Sequence, residues 1–429
     1  MSESSVAAGV GATDSCPRLE GFDPLVPEQV GKPWPWLARA RAEVPVFYMP
    51  QYDMWCVTRY EDALAVYRDP VTFSNVGSHD MRVPIPSSLA GELPEDYRFP
   101  FVGQLNTTDP PQHTRIRKLM QRAFTPRHVG GREDEIRALC HSLIDVFPND
   151  GSLDFVEAFA SPLPITVISG VLGIPPERTG GFREWAEDFF RLSGATEIPE
   201  DEATVRWRRV YEWDQYIRSF VADRRASPQD DLTSDLIHAK SDDGSPTLTD
   251  DELLANILGI VAAGADTTTI LLTHLVFLLL EHRGRWEEVG EDHALIPNAI
   301  EETMRLMGPV RGLRRTTTAP VQLGGVALPK GSTLYLHVGS ASRDEDIFPD
   351  SEHFDLHRTN ASRHLGFGIW THFCIGAPLA RLEARVALEC LLDRVPGLRL
   401  AVEHEELEYT ENMVLPSPRR LEVLTAQPN

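Results

Sequence analysis

The chain has 429 residues, of which 42% are hydrophobic and 24% are charged, so it can bury a large core and an enclosed pocket. Its 41 Lys+Arg against 64 Asp+Glu give a formal net charge of −23. This acidic balance argues against nucleic-acid binding, because phosphate backbones require a basic surface. The composition also disfavours disorder, since the charges are interspersed with abundant Leu, Val, Ile and Phe.

Cysteine usage and hydropathy bear on the cellular location. The five cysteines are scattered, odd in number and without a C-x-x-C pair, which disfavours a disulfide framework and predicts a cytoplasmic protein. The N-terminal residues lack the basic and apolar regions of a signal peptide. The most apolar stretch, residues 253–280, contains Asp266. An aspartate at mid-membrane costs about 2.5–3.5 kcal/mol, so we predict a buried helix and no membrane contact.

The N-terminal part of the chain combines a polar start with a short hairpin. Residues 1–30 are small, polar and interrupted by proline, and we predict that they are flexible. No repeat or linker divides residues 31–429, which are therefore predicted to form a single domain. Residues 44–48 and 54–58 are β-branched or aromatic runs separated by turn residues, a pattern that predicts a β-hairpin.

Helical patterns dominate from about residue 109 onward. Asp109 is placed to cap a helix that continues to about Phe124. A capping box at residues 249–252 opens a long helix to about His282. Further helices are predicted at 299–307 and 379–392, and strand patterns at 324–336 and 400–424. The predicted fold class is therefore mainly α with small β-sheets (α+β).

The loop Phe-Gly-Ile-Trp-Thr-His-Phe-Cys-Ile-Gly at residues 367–376 precedes a helix predicted from about Ala377. A cysteine at the start of a helix is favoured as a thiolate by the helix dipole and the backbone N–H groups. Such a thiolate could ligate a soft or borderline metal, including heme iron. Alternatively, Cys374 is a small buried hydrophobic residue, as free cysteines commonly are.

The long apolar helix is interrupted by Gly264, Asp266 and Thr267. Glycine, an acid and a threonine are unfavourable in the middle of a buried helix, and such local misfits tend to mark functional sites. A hydroxyl beside a carboxylate, in a helix loosened by the glycine, could bind oxygen or water and relay protons. The alternative is a close helix crossing that needs small residues, with Asp266 in a salt bridge.

Two further pairs carry little information when each is taken alone. Glu302 and Arg305 lie at i, i+3 on one predicted helix face, and His113 and Arg117 lie at i, i+4 on another. Pairs of this kind are usually solvated surface groups. Their order along the chain, together with the two motifs above, is what makes them informative.

Taken in order, the four motifs resemble those of the bacterial soluble cytochrome P-450 family of heme-thiolate monooxygenases, from about residue 35 to the C-terminus. The family's heme-cysteine motif is matched at Phe367, Gly368, His372, Cys374 and Gly376.

The other motifs of the family follow in the expected order. Asp266 and Thr267 match the acid–threonine pair of the oxygen-activating helix. Glu302 and Arg305 match the family's Glu-x-x-Arg pair, and its third member falls on Arg358. The segment from Asp109 through His113 and Arg117 resembles the heme-edge helix, and Arg315 falls where the family places a further propionate-binding arginine.

The resemblance implies the cytochrome P-450 fold, a triangular prism with heme b (iron protoporphyrin IX) buried between the long central helix and the helix after the cysteine loop. It implies that Cys374 is the axial iron ligand and favours O–O cleavage, and that Asp266 and Thr267 deliver protons to the distal oxygen. The residues implied in cofactor binding are His113, Arg117, Arg315, His372, Cys374, Gly264 and Phe367.

The implied reaction inserts one oxygen atom of O2 into a small or medium organic substrate, by hydroxylation, O-dealkylation or epoxidation. Electrons are expected from a ferredoxin with its ferredoxin reductase, because the chain contains no flavin or iron–sulfur domain. Arg115, Lys118 and Arg122 recur at i, i+3 and i+7 and form a candidate basic stripe for an acidic partner; the alternative is an ordinary solvated helix face.

Two other functions remain open at this point: a peroxide-driven heme enzyme and a non-catalytic heme-binding or sensor protein. The Asp266–Thr267 pair weighs against both, because neither requires protonation of bound dioxygen.

The chain departs from the family at Trp370, where glycine is usual. Either the loop adapts, or the tryptophan packs on the heme edge. Arg311 is also unusual, since a buried guanidinium needs a partner. That partner could be a substrate carboxylate, a heme propionate or an acid of a neighbouring loop, and we expect one of the structural alternatives rather than the substrate. The substrate pocket is expected to include Phe101, Ile260, Ala263 and Met413.

Overall fold

The structure is a computed structural model that describes residues 16–100, 103–195, 197–240, 247–401 and 407–425. Its helices are α1 (Pro27–Val30), α2 (Trp34–Glu43), α3 (Tyr60–Arg68), α4 (Gln112–Met120), α5 (Pro126–Gly130), α6 (Glu133–Ile144), α7 (Pro162–Leu172), α8 (Phe182–Gly194), α9 (Glu200–Ala226), α10 (Leu232–His238), α11 (Asp250–Leu280), α12 (Arg283–Glu291), α13 (Ile296–Met307), α14 (Val338–Ala341) and α15 (Ala377–Arg394). Helices dominate, as predicted.

The strands form small sheets beside the helices. They are β1 (Val46–Met49), β2 (Met54–Val57), β3 (Phe73–Ser74), β4 (Gly151–Asp154), β5 (Leu313–Thr317), β6 (Val321–Leu323), β7 (Val326–Leu328), β8 (Thr333–Leu336), β9 (Arg399–Leu400) and β10 (Glu422–Thr425). A five-stranded sheet has the order β1-β2-β8-β5-β3, a three-stranded sheet the order β4-β10-β9, and β6 pairs with β7. The predicted hairpin is β1–β2, with Val46 opposite Val57.

The long helix α11 organises the core, because it packs against α7, α8, α13 and α15. Its start is defined by the predicted capping box. The Thr249 hydroxyl accepts a hydrogen bond from the Glu252 N–H at 3.2 Å, and the Glu252 carboxylate accepts one from the Thr249 N–H at 3.1 Å. Among the described residues, α11 is the one helix long and apolar enough to cross a membrane, and 83% of its apolar window is buried within the protein. That burial is typical of a core helix.

The N-terminal prediction needs correction for the part that the structure describes. Residues 16–30 pack on the protein rather than extending freely: Leu19 and Phe22 are buried in a cluster with Phe47, and the Phe22 and Phe47 rings meet edge to face at 5.9 Å. Residues 1–15 lie outside the described residues. Sequence reasoning missed this packing because two apolar residues in a proline-rich stretch show no periodicity.

Two predicted elements differ from those observed. Asp109 does not cap α4; its carboxylate accepts hydrogen bonds from the Ser74 hydroxyl at 2.5 Å and the Asn75 N–H at 2.9 Å. It thereby ties the chain before α4 to β3. Of the strand pattern predicted over 400–424, the described residues form β9 and β10 at the two ends and an isolated antiparallel bridge between Tyr409 and Pro418; residues 402–406 lie outside the described residues.

Candidate active site

A large cavity lies between α11 and the loop that precedes α15. Its empty space, including the opening to solvent, is about 1660 Å³. All of the predicted cofactor-binding residues line it: His113, Arg117, Gly264, Arg315, Phe367, His372 and Cys374.

The loop at residues 367–376 presents the Cys374 thiol to the cavity. The Cys374 N–H donates to the Phe367 carbonyl at 2.7 Å, which closes the loop on itself. Gly368 has a φ of +64°, and a Cβ there would approach the His372 carbonyl oxygen to 3.0 Å, so glycine is required. Cys374 is exposed to the cavity. Its surroundings raise the pKa of the thiol by desolvation, while the N–H groups of Gly376 and Ala377 oppose that rise.

Trp370 adapts to the position where the family has glycine. Its φ is +53°, a left-handed conformation that costs a non-glycine residue about 1–2 kcal/mol. The ring is 47% exposed and lies under the Arg68 guanidinium, with the guanidinium carbon 5.3 Å from the ring centroid. It is not among the residues that line the cavity. The structure therefore agrees with the first of the two alternatives. The loop accommodates Trp370 in a left-handed backbone conformation, and the tryptophan faces solvent rather than the heme edge.

Basic side chains cluster at one end of the cavity. The rings of His113 and His372 lie 4.3 Å apart, and Arg117 and Arg315 complete the cluster. Desolvation and the charge of Arg117 lower the pKa of His113 to about 4, against an opposing effect of Asp109. Desolvation, together with Arg315, His113 and Arg117, lowers the pKa of His372 to about 2. Desolvation also lowers the pKa of Arg117 and Arg315. The cluster is therefore short of negative charge.

The donor set fits the propionates of heme. The buried Nε2 of His113 has no hydrogen-bond partner among the residues that the structure describes, and a buried nitrogen of this kind normally has one. Two carboxylates placed here would satisfy that nitrogen and neutralise the cluster. Asn75, which sequence reasoning missed, joins the cluster through a 2.6 Å contact between its Nδ2 and Nε2 of His372. Nothing in the pattern around Asn75 marks it as a site residue.

Helix α11 borders the cavity at Ala263, Gly264, Thr267 and Thr268. The Thr267 hydroxyl donates to the Ala263 carbonyl at 2.6 Å. Asp266 is 7% exposed and is absent from the residues that line the cavity. Burial raises the pKa of its carboxyl to about 7.

The predicted loosening of α11 at Gly264 is not observed, because the helix is continuous from 250 to 280. The glycine is needed for close packing instead. A Cβ at Gly264 would lie 2.6 Å from Cγ1 of Ile168 on α7, which is closer than the two carbons can approach.

Glu302, Arg305 and Arg358 form a buried ion network. Arg305 donates to both carboxylate oxygens of Glu302 at 2.7 and 2.8 Å, and Arg358 donates to one of them at 2.9 Å. Arg305 also donates to the carbonyls of Ser351 and His353. The network thus ties α13 to the chain at 351–358.

A second ion pair that sequence reasoning missed connects α13 to α15. Arg381 donates to both oxygens of Glu301 at 2.6 and 2.9 Å, and the Arg381 guanidinium lies 4.4 Å above the Phe367 ring. The two residues are 80 positions apart, so no local spacing could have revealed the pair.

Arg311 does not line the cavity, which agrees with the expectation of a structural role rather than recognition of a substrate carboxylate. Its side chain is 3% exposed and lies over the rings of Trp34 and Tyr409, at 4.6 and 5.9 Å from their centroids. Its backbone N–H donates to the Val414 carbonyl at 2.8 Å. Arg311 is therefore part of the scaffold.

The structure tests most of the expected pocket residues. Ile260 and Ala263 line the cavity as predicted, whereas Met413 does not, and the neighbouring Val414 and Leu415 take its place. Met413 is buried in a separate cluster of apolar side chains. Phe101 lies outside the described residues.

These features define a cavity in which a cysteine thiol and a cluster of histidine and arginine side chains are suited to a cofactor with acidic substituents. The comparisons with known proteins agree. The family model for cytochrome P450 matches residues 203–420. The chain is 35% identical over 373 residues to 6-deoxyerythronolide B hydroxylase of Saccharopolyspora erythraea, covering 86% of this chain and 90% of the relative. It is 36% identical over 411 residues to the monooxygenase PikC of Streptomyces venezuelae, covering 94% of each.

Solved structures show the same likeness. Cytochrome P450 CREJ in complex with (4-ethylphenyl) dihydrogen phosphate matches with a TM-score of 0.87 at 30% identity, covering 94% of this chain and 99% of the other. PksS of Bacillus subtilis matches with a TM-score of 0.82 at 31% identity, covering 95% and 100%. The chain belongs to the cytochrome P450 family. It has the P450 fold, its cofactor is heme b, and its class is that of the oxidoreductase monooxygenases.

Proposed function

We propose that this protein hydroxylates or epoxidises a predominantly apolar organic substrate, using O2 and electrons from a ferredoxin. The observation that carries this proposal is that Cys374 and Thr267 line the same cavity. A thiol able to hold heme iron and a hydroxyl able to pass protons therefore face the same space. O-dealkylation uses the same site chemistry and remains within the proposal.

We assign the cofactor contacts as follows. Bound heme supplies an iron centre that binds and activates O2. The Cys374 sulfur would hold the iron, and His113, Arg117, Arg315 and His372 would neutralise the propionates. These four residues come from α4, from β5 and from the cysteine loop. Gly264 and Phe367 would bound the faces of the ring.

Asp266 and Thr267 are proposed to move protons. A carboxyl whose pKa lies at about 7 can both take up and release a proton near neutral pH, which is what proton transfer requires. Asp266 interacts electrostatically with Arg183, Glu184 and Glu187 on α8, and these three residues are not among those that line the cavity. Thr267, which faces the cavity, would pass the proton inward by releasing its hydrogen bond to the Ala263 carbonyl.

The walls of the cavity favour an apolar substrate. The apolar residues that line it on the side of α7, α8, α11 and the C-terminal loop are Ile168, Phe190, Ile260, Leu271, Val414 and Leu415. Two relatives are named for hydroxylation or epoxidation of an organic substrate: the mycinamicin IV hydroxylase/epoxidase of Micromonospora griseorubida and the cyclomarin C epoxidase of Salinispora arenicola. We propose an apolar organic substrate of small to medium size for this protein, and a screen by substrate-induced spin shift would identify it.

The reaction type is tested by comparing electron sources on a substrate found in that screen. With NAD(P)H, ferredoxin reductase, ferredoxin and 18O2, we expect a product that carries one atom of 18O. Hydrogen peroxide alone should give much less product, because the site holds a proton relay for dioxygen. Product formation with peroxide but none with the electron donors would instead assign a peroxide-driven heme enzyme.

The docking site for the ferredoxin is proposed on α4 and the turn after it. Arg115 does not belong to it, since this residue forms an ion pair with Glu252. Lys118 and Arg122 are exposed and form no ion pair with an acid among the described residues. On a protein of net charge −23 they would attract an acidic partner.

Charge reversal tests this docking site. Lys118→Glu with Arg122→Glu should slow first-electron transfer from the ferredoxin about tenfold at low salt and flatten its salt dependence. The control is Arg399→Glu on β9, which reverses an exposed charge on another element. An unchanged rate and salt dependence in the Lys118/Arg122 variant would exclude this surface.

We further propose that residues 31–429 act as one catalytic domain in the cytoplasm. The contacts of α11 with α7, α8, α13 and α15 support one domain, and the free cysteines support a reducing compartment.

A further inference from the structure

A buried amide lies at the basic end of the heme cavity. Asn75 directly follows β3, is 2% exposed and lines the cavity. Its Nδ2 lies 2.6 Å from Nε2 of His372, which is 297 positions away in the chain. Asn75 is therefore a direct neighbour of the histidine that the cysteine loop presents to the cavity.

Asp109 fixes the backbone of Asn75. Its carboxylate accepts hydrogen bonds from the Asn75 N–H at 2.9 Å and from the Ser74 hydroxyl at 2.5 Å. Its carbonyl accepts one from the His113 N–H at 2.9 Å, so a single residue holds both Asn75 and the first turn of α4. Strand β3 also pairs with β5, which carries Arg315. Asn75 is thus held by the same elements that carry the basic cluster, and such support makes the position of a side chain precise.

The contact determines which nitrogen of the His372 ring carries the proton. The NH2 group of an amide can only donate, so Nε2 of His372 accepts the hydrogen bond from Nδ2 of Asn75 and has no proton of its own. The proton of the neutral imidazole is then on Nδ1, and that N–H is the one donor of the ring. A carboxylate in the cavity could accept it. The opposite orientation of the amide, with its oxygen toward the ring, would make Nδ1 an acceptor, which a carboxylate could not bond.

We propose that Asn75 is a positioning residue for the cofactor: its amide donates to Nε2 of His372 and thereby directs the Nδ1–H of that ring to a carboxylate of heme. This inference rests on the proposed assignment of His372 to the heme propionates. A purely structural Asn75 would instead hold the chain after β3 without any effect on the ring. The two roles differ in the nitrogen of His372 that carries the proton and in the rate at which heme leaves the protein.

Nuclear magnetic resonance of the heme-loaded protein, labelled with 15N at histidine, locates the proton. The reduced, carbon-monoxide-bound form is diamagnetic, and a His372→Gln variant identifies the signals of this ring. We expect a protonated, pyrrole-type Nδ1 and an unprotonated, pyridine-type Nε2 in the wild type. A proton on Nε2 would overturn the proposal, as would equal populations of the two forms.

The transfer of heme to excess apomyoglobin tests the consequence for the cofactor. Asn75→Leu keeps the approximate size of the side chain but removes the donor, and it should raise the rate of heme loss about two- to tenfold, the effect of one hydrogen bond. His372→Leu should raise the rate at least as much. Because Asn75 acts through His372, the double variant should lose heme no faster than His372→Leu alone. The matched control is the exposed Asn106, which lines the same cavity; Asn106→Leu should lose heme at the wild-type rate.

The outcomes separate this inference from the proposed cofactor contacts. Faster heme loss in His372→Leu but not in Asn75→Leu would overturn the role of Asn75 and leave the contacts intact. Effects that add in the double variant would also overturn it, because Asn75 would then act independently of the ring. If His372→Leu retains heme as well as the wild type, the assignment of His372 to the propionates fails, and the inference fails with it. Where a variant does not fold, the position of the proton in the wild type decides.

Discussion

Replacing Glu302 with alanine is expected to destabilise the protein by about 3–5 kcal/mol, because it leaves two buried guanidinium groups without their carboxylate. Glu302 and Arg305 have fully buried side chains and Arg358 is nearly so. Arg305 donates a further hydrogen bond to the Ser351 carbonyl, and Arg358 donates to the carbonyls of Pro349 and Asp350. Glu302 accepts one from the Asp355 N–H. Loss of the network should therefore loosen the segment that leads to the cysteine loop. Chemical denaturation of the heme-loaded protein, followed by heme absorbance and by circular dichroism, measures the effect.

A matched control distinguishes this network from surface ion pairs. Glu287 pairs with Arg283 at 2.9 Å but is 57% exposed, and Glu287→Ala should cost less than about 1 kcal/mol. If Glu302→Ala is too unstable to purify, Glu302→Gln keeps the shape of the side chain and should still be destabilised by more than the control. Equal stabilities of the Glu302 and Glu287 variants would show that the network does not hold the scaffold.

The second large effect is expected at Thr267. Thr267→Ala should lower the product formed per electron by roughly tenfold or more, because proton transfer to oxygen loses the hydroxyl that faces the cavity. Substrate-induced spin shifts should change little, since the side chain is small and the cavity walls remain. The electrons not used for product should appear as released hydrogen peroxide. Parallel measurement of product, oxygen consumption and peroxide tests this expectation.

Thr269 is the matched control on the same helix. Its hydroxyl donates to the Ala265 carbonyl at 3.0 Å, as Thr267 does to Ala263, but Thr269 does not line the cavity. Thr269→Ala should couple electrons to product as well as the wild type. Unchanged coupling in Thr267→Ala, or an equal loss in both variants, would contradict the proton-transfer role.

The sequence predicts the parts of this site that depend on local pattern. The capping box at Thr249 and Glu252 has the predicted bonds, because both partners lie within one turn. The His113–Arg117 spacing places both side chains on the cavity face of α4, since i and i+4 lie on one side of a helix. The assignment of Cys374 as a site residue depends in addition on the resemblance to the family's heme-cysteine motif.

Contacts between distant segments could not be read from such patterns. Asn75 reaches His372 across 297 positions, and residues 16–30 pack on β1 only because the fold brings them together. The choice between the two alternatives for Gly264 depended on such a contact, because the side chain that requires the glycine, Ile168, lies on another helix. The rings of Trp34 and Tyr409, over which the Arg311 guanidinium lies, were not among the partners that the sequence suggested, because both are remote from Arg311 in the chain.

The carbon-monoxide difference spectrum of the reduced, heme-loaded protein tests the central claim most directly, namely that Cys374 holds the heme iron as a thiolate. The wild type should show the red-shifted band characteristic of thiolate-ligated heme. Cys374→His should retain heme, because imidazole also binds iron, and should lose that band completely. A wild-type protein without the band, or a Cys374→His variant that keeps it, would contradict the assignment.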